Sequence, residues 1–304
     1  MKAAALRTYG GPEVVELLEV ETPEAGPGQV RVRVRAAGVQ PFDCAVRRGI
    51  VSIPGLTGSF PQKVGNDFAG VVDQVGPGAV GFEVGAEVMG WALLASHAEY
   101  VVVAPDQLVV KPTSMPWEVA GAFSASAQTA HTAIEKLKVG AGDTVLVHAA
   151  AGGVGTVAVQ VAKARGATVI GTAGPYNHDY LRSLGVVPVA YGDGLVDRVR
   201  ALAPGGVTAA LDAVGGAALD ASVELVEDRG RIGTITDFDR AEDFGVLAIS
   251  TERSTTRLTE LTDMFDRGEL RIEISHTFPL AQAALAHQEM DRGHVRGKIA
   301  IVVE

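Results

Sequence analysis

From residue 29 to 39, QVRVRVRAAGV, polar and apolar positions alternate with period two, the pattern of a strand with one buried face. Shorter apolar runs follow at 68–75 and 98–103, separated by glycine and proline clusters such as Gly76-Pro77-Gly78. That punctuation predicts a compact, partly antiparallel sheet or barrel. After Lys111-Pro112 the pattern changes: Ser114 is placed to cap a helix with Pro116 in its first turn, and 117–138 predicts helix. From Thr144 onward strand, helix and strand alternate, at 144–149, 154–165 and 168–172, with further apolar runs at 209–214, 231–235 and 246–249. Such alternation predicts parallel strands joined by right-handed crossovers in a doubly wound sheet. The tail is mixed again: helix 255–267, strand 272–278, helix 280–291, strand 298–303. The doubly wound domain therefore reads as an insertion, 122–254, into a β-rich domain formed by 1–121 and 255–304.

Length supports two domains, since 304 residues exceed one ordinary core. With 47% hydrophobic and 20% charged residues, neither disorder nor a fibrous class is indicated. The net charge of -10, with no compensating basic run, argues against a nucleic acid or an anionic membrane as partner and leaves a small molecule. No stretch approaches the roughly 18 apolar residues that span a bilayer, and the apolar part of 1–7 is too short for a signal peptide. The expectation is a cytoplasmic protein. A single cysteine, Cys44, rules out an intrachain disulfide and any multi-thiolate metal site.

The chemistry-bearing motif is HAAAGGVG, 148–155, where Ala149, Gly152 and Gly155 recur at intervals of three and Gly153 adds another small position. A chain leaving a strand there turns sharply and offers free backbone N–H groups at a helix N-terminus to a pyrophosphate, with Ala151, Gly152, Gly153 and Val154 lining the turn. The next helix carries an apolar stripe, Val154, Val157, Ala158, Val161 and Ala162, suited to packing on a sheet, and Gly166 follows as its stop. A carboxylate at the end of the second strand would bind the ribose 2′-hydroxyl of NAD. Here that end reads Thr172-Ala173-Gly174-Pro175-Tyr176-Asn177-His178, and the first acid is Asp179. NADPH is the expected cofactor, although no Lys or Arg precedes Arg182 to meet its 2′-phosphate.

Dispersed motifs carry a family resemblance over essentially the whole chain: MKAAALRTYGGPEVVEL, VRVRAAGVQPFDCAVRRG, VGNDFAGVVDQVG, FSASAQTAHTAI, VLVHAAAGGVG and RGKIAIVV. The sequence resembles the zinc-free, zeta-crystallin-like quinone oxidoreductase branch of the medium-chain dehydrogenase/reductase family. The resemblance implies an α/β fold in which a doubly wound parallel Rossmann sheet is inserted into a β-rich, GroES-like, partly open barrel. Gln40 and Asn66 stand where zinc-dependent relatives carry Cys and His, and Asp67 takes the place of their acid. Neither a catalytic zinc site nor the four-cysteine structural lobe can be assembled from these residues. Gln40, where the branch commonly has Asn, differs by one methylene.

The resemblance further implies catalytic positions for Gln40 and Asp67, Thr129 beside the nicotinamide carboxamide, Tyr191 at the adenosine phosphate, and a homodimer pairing through 244–251; Gly174, at the acid-free end of the second strand, is a further cofactor-binding candidate. Lys298 either reaches a cofactor phosphate or flanks the last strand. Asp67 either lies in the active cleft, caps a turn, or holds Arg47 or Arg48. The seven histidines show no metal spacing, and Cys44 is expected as a small core residue. The implied activity is hydride transfer from NADPH to a quinone, with two rivals: reduction of an enone or alkenal double bond, and a cofactor-binding sensor or structural protein without turnover.

Overall fold

The alternating segment forms the strand Val30–Val39 in a computed structural model that describes residues 1–304. Val30, Val32 and Val34 are buried while Arg33 between them is exposed, so the period-two pattern reports one core-facing side. This strand is central to a sheet in the spatial order Ile274–Pro279, Lys298–Val302, Val30–Val39, Asp67–Val75, Glu87–Trp91 and Leu108–Val110, with Tyr100–Val103 also paired to it. Its neighbours run antiparallel, and only Ile274–Pro279 and Lys298–Val302 pair in parallel. A smaller antiparallel sheet joins Val15–Glu19, Lys2–Leu6 and Gln62–Lys63. Both belong to the unit Met1–Ala125, Ser254–Asp266 and Ile272–Glu304, whose core gathers Val30, Val32, Phe68, Val88, Ile299 and Ile301. Each such side chain contributes about 1.5–3 kcal/mol by leaving water.

Register in this sheet decides what lies beside residue 40. Gly38 pairs with Asp67, and Val39 pairs with Ile299. The end of the central strand is thereby flanked by Asp67 on one side and Lys298 on the other.

The helix expected over 117–138 is divided into Trp117–Gly121 and Ser124–Lys136. Close packing forces the division. A Cβ on Gly121 would stand 2.5 Å from the Ala36 carbonyl carbon, and one on Gly38 would stand 2.7 Å from Ala122 Cα, so the chain here lies directly on the central strand. Ser114 does not cap the first helix; its hydroxyl donates to Asp266 Oδ1 at 2.6 Å.

The second unit, Ser126–Arg253 with Arg267–Arg271, contains a six-stranded, wholly parallel sheet. Its order is Val187–Val189, Thr168–Thr172, Thr144–Val147, Ala209–Asp212, Ile232–Thr234 and Leu247–Ala248, the doubly wound arrangement, with the direction of succession reversing at Thr144–Val147. In the helix Gly153–Ala164, four members of the expected stripe, Val157, Ala158, Val161 and Ala162, are buried, whereas the fifth, Val154, is only partly so, and Val159 is buried as well. The segment Arg267–Arg271 belongs to this unit rather than to the β-rich one, against the boundary read from sequence. Buried Gln160 holds it: the amide donates to the Arg271 carbonyl at 2.9 Å and accepts from the Arg271 N–H at 3.0 Å.

Candidate functional site

Gln40 ends the central strand and is the cap of the helix Pro41–Arg47, whose first position is a proline that needs no N–H partner. Asp43, at the third position, accepts from the Gln40 backbone N–H at 2.8 Å and from Asn66 Nδ2 at 2.7 Å. The Asn66 Oδ1 in turn accepts from the Leu94 N–H at 3.3 Å. The backbone at residue 40 is thus fixed by a buried acid that no sequence motif singled out. Its signal, an acid three residues after a cap, is present but common.

The side chain is fixed too. Gln40 Nε2 donates to Asp67 Oδ2 at 2.7 Å, and Lys298 Nζ donates to Gln40 Oε1. Asp67 Oδ1 accepts from the Ala125 N–H at 2.8 Å, in the first turn of the helix Ser124–Lys136. Gln40, Asp67 and Lys298 are 6%, 0% and 2% exposed, so these contacts form in a low-dielectric interior. The amide orientation follows from charge: its nitrogen faces a carboxylate and its oxygen an ammonium. Burial lowers the Lys298 pKa, and the nearby Asp67 and Asp43 carboxylates resist that shift.

Two alternatives from the sequence are corrected here. Asp67 does not hold Arg47 or Arg48; both pair with Asp291, at 2.6 and 2.7 Å. Lys298 is turned inward onto Gln40 rather than presented to a cofactor phosphate, because the strand register sets it beside residue 40. Cys44 is buried and faces His287 Nδ1 at 3.7 Å, with burial pushing its thiol pKa up, which suits an inert core position.

Zinc does not fit this donor set. No group of three or more His, Cys, Asp or Glu is arranged to hold a metal ion, the carboxamides of Gln40 and Asn66 are engaged with carboxylates, and an ammonium already occupies the Gln40 oxygen.

In the parallel unit the glycine-rich turn joins Thr144–Val147 to the helix Gly153–Ala164, with Ala149 in the left-handed region at φ 50° and Gly152 as the cap. A Cβ on Gly155 would stand 2.2 Å from the Ala149 carbonyl oxygen, whereas one on Gly152 would meet only that oxygen, at 3.3 Å. Gly155 thus serves helix–strand packing, and Gly152 leaves the mouth of the turn without a side chain. No side chain caps this helix, so the N–H groups of Gly153, Val154 and Gly155 have no partner within it. Ala151 is buried, while Gly152, Gly153 and Val154 are partly exposed. A bare, uncapped N-terminus of a 12-residue helix fits the pyrophosphate of a dinucleotide. Beneath it, buried His148 meets Ser222 Oγ at 3.0 Å, and burial lowers its pKa to about 4 against the pull of Asp212.

The neighbouring strand ends are tied to the turn and to each other by backbone hydrogen bonds. The Ala150 N–H donates to the Thr172 carbonyl at 3.0 Å and the Ala173 N–H to the Val189 carbonyl at 3.0 Å, which brings Gly174 and the loop carrying Tyr191 toward the turn. Tyr191 is 53% exposed, and its loop is held by Arg198, which donates to the carbonyls of Ala190, Tyr191, Gly192 and Asp193. Sequence reading missed Arg198; its only signal was a cation seven residues after Tyr191. No acid ends the strand Thr168–Thr172, and the first one along the chain, Asp179, pairs with Arg182 at 2.6 Å. Thr129 lies on the helix Ser124–Lys136, with its hydroxyl 2.6 Å from that of Thr251.

Comparison with known proteins matches two family descriptions: the alcohol dehydrogenase GroES-like domain over residues 26–137, and zinc-binding dehydrogenase over residues 184–301. The chain is 32% identical to a quinone oxidoreductase of Pseudomonas aeruginosa, over 99% of both proteins. It is 31% identical to a 2-haloacrylate reductase of a Burkholderia species, over 99% of this chain and 98% of that one. Among solved structures, a mycobacterial protein complexed with NADPH aligns with a TM-score of 0.88 at 26% identity, over 99% of this chain and 100% of that one.

Proposed function

The chain belongs to the medium-chain dehydrogenase/reductase family, and on that premise we propose that it catalyses NADPH-dependent, metal-independent hydride transfer to a quinone or related conjugated carbonyl acceptor. The observation that carries the reading is the Gln40 amide, held at both ends and surrounded by residues that do not fit a metal. When bound, NADPH supplies the hydride; the chain's task is to bind, orient and stabilise charge.

The N–H groups at Gly153 and Val154 take the pyrophosphate, with Gly152 leaving it room and Ala151 beneath. Gly174 and Tyr191 take the adenosine phosphate, where no carboxylate opposes a 2′-phosphate. Thr129 orients the carboxamide. As charge develops on the acceptor oxygen, Gln40 offers the Nε2 hydrogen that Asp67 does not use, since an amide nitrogen carries two and Asp67 accepts one. Solvent supplies the proton.

The Burkholderia relative favours a second reading, reduction of a carbon–carbon double bond conjugated to a carbonyl. Both acceptors accumulate negative charge on oxygen, so one donor serves either. Following NADPH absorbance with ortho-quinones, para-quinones and 2-alkenals decides: quinone turnover supports the first reading, turnover of alkenals alone replaces it with the second, and silence across the panel points to a binding protein without turnover. No helix is long and apolar enough to cross a membrane, and work in the cytoplasm is the setting that suits this chemistry. Leu247–Ala248 is an edge strand of the parallel sheet, which supports a homodimer paired there.

A further inference from the structure

We propose that Lys298 is a positioning residue of the acceptor site: its ammonium, donating to Gln40 Oε1, locks and polarises the Gln40 amide so that one Nε2 hydrogen stands ready for a developing oxyanion. This rests on the reading of Gln40 as the oxyanion donor.

A carboxamide on a flexible side chain normally rotates between two orientations that exchange oxygen and nitrogen. Here each end is read by a charge of the appropriate sign. Asp67 takes one hydrogen of Nε2 at 2.7 Å, the Lys298 ammonium takes the oxygen, and the reversed amide would set oxygen against carboxylate and nitrogen against ammonium. All three residues are buried, so water does not screen the preference.

Polarisation acts in the same direction. A cation on the carbonyl end draws electron density along the amide and strengthens its N–H groups as donors. Asp67 satisfies one of those hydrogens; the other gains the benefit.

Cost explains why the arrangement is informative. Burying an ammonium is unfavourable by itself, and a glutamine that only capped a helix would not require one. Lys298 is brought there by strand register, Val39 opposite Ile299, and its charge is balanced within the same cluster by Asp67 and Asp43, the latter already bound by the Gln40 backbone and Asn66. A single chain of contacts thus runs from ammonium to amide to carboxylate to the Ala125 N–H.

The test uses the full-length protein with Lys298→Met, which keeps an unbranched stem without charge, and Lys298→Arg. In protein without cofactor, the side-chain amide resonances of Gln40, identified by their loss in Gln40→Ala, should shift in Lys298→Met and should titrate at alkaline pH in the unaltered protein as the ammonium loses its proton. In turnover, Lys298→Met should lower kcat by about 10- to 100-fold, below the full loss of an oxyanion donor, with the KM for NADPH within about two-fold. The alkaline fall in kcat should vanish in Lys298→Met and move to higher pH in Lys298→Arg. Unchanged Gln40 resonances in Lys298→Met, or no alkaline titration of them in the unaltered protein, would overturn the proposal. The magnetic resonance readout needs no substrate, so failure of every acceptor defeats the functional reading alone. If Lys298→Met does not fold, the alkaline titration and Lys298→Arg still decide.

Discussion

Gly155 lies against the backbone of Ala149 so closely that a Cβ added to it would stand 2.2 Å from the Ala149 carbonyl oxygen and 2.7 Å from Ala150 Cα. Neither neighbour can yield, because both are backbone. Gly155→Ala should therefore destabilise the protein by 2 kcal/mol or more, on the order of other overpacked sites. Gly152→Ala meets only the Ala149 oxygen at 3.3 Å, from a φ of -79° that alanine adopts freely. It should cost under about 1 kcal/mol yet weaken NADPH binding, since a methyl group then stands at the mouth of the turn. Thermal melts beside NADPH titrations check both; equal stability loss in the two variants would refute the division of labour.

Gln40→Ala removes the amide while leaving the turn in the other unit untouched. Turnover should fall by about 10²–10³, the size reported for loss of one oxyanion donor, with NADPH affinity little changed. Steady-state kinetics and a fluorescence titration of NADPH measure the two separately. Turnover like that of the unaltered protein would remove Gln40 from the site.

Acid should unfold this protein through its buried imidazoles, His97, His148 and His287, all of whose pKa values burial lowers. Burial lowers the pKa of His97 and of His148 from 6.5 to about 4, only partly opposed by the Gly38 carbonyl and by Asp212 respectively. Between those values the unfolded chain binds protons that the native chain does not, so stability falls as pH drops through that window and is intact above it. His97 and His148 each contribute about 3 kcal/mol to the full loss, at roughly 1.4 kcal/mol per unit. Urea midpoints from pH 7 to pH 4.5 should decline, and His97→Phe, which keeps a buried ring without a titrating group, should flatten the decline. An identical slope in that variant would place the acid sensitivity elsewhere.

Arg47 is completely buried, and its guanidinium pairs with Asp291 at 2.6 Å. Asp291→Ala leaves that charge without its carboxylate and should destabilise by about 3–5 kcal/mol. Adding Arg47→Met removes the stranded charge and should restore much of the loss, a coupling that a double-mutant cycle by denaturant unfolding measures.

Local pattern determined a good deal. Alternation at 29–39 and the sequence of strand, helix and strand after Thr144 are short-range properties, because side-chain direction repeats every two residues in a strand and nearly every four in a helix. The glycine turn was legible for a similar reason: its demands are on consecutive backbone units, and the missing acid after Thr172 is visible in the text of the chain. The split of 117–138 into two helices was not legible, since residues 117–138 themselves favour helix and the interruption comes from Ala36 and Gly38, some eighty positions away.

The acceptor side shows the same limit more sharply. Sequence placed Gln40 and Asp67 among candidate residues, but left Asp67 open between three roles and Lys298 between a cofactor phosphate and the flank of the last strand. Strand register, Gly38 against Asp67 and Val39 against Ile299, is a relation between segments up to 260 residues apart, set by which buried faces align. Residue types by themselves gave the expectation that a dinucleotide would be held and zinc would not; tertiary pairing decided that an ammonium, an amide and a carboxylate would meet, because only the packed sheet brings them within hydrogen-bond reach.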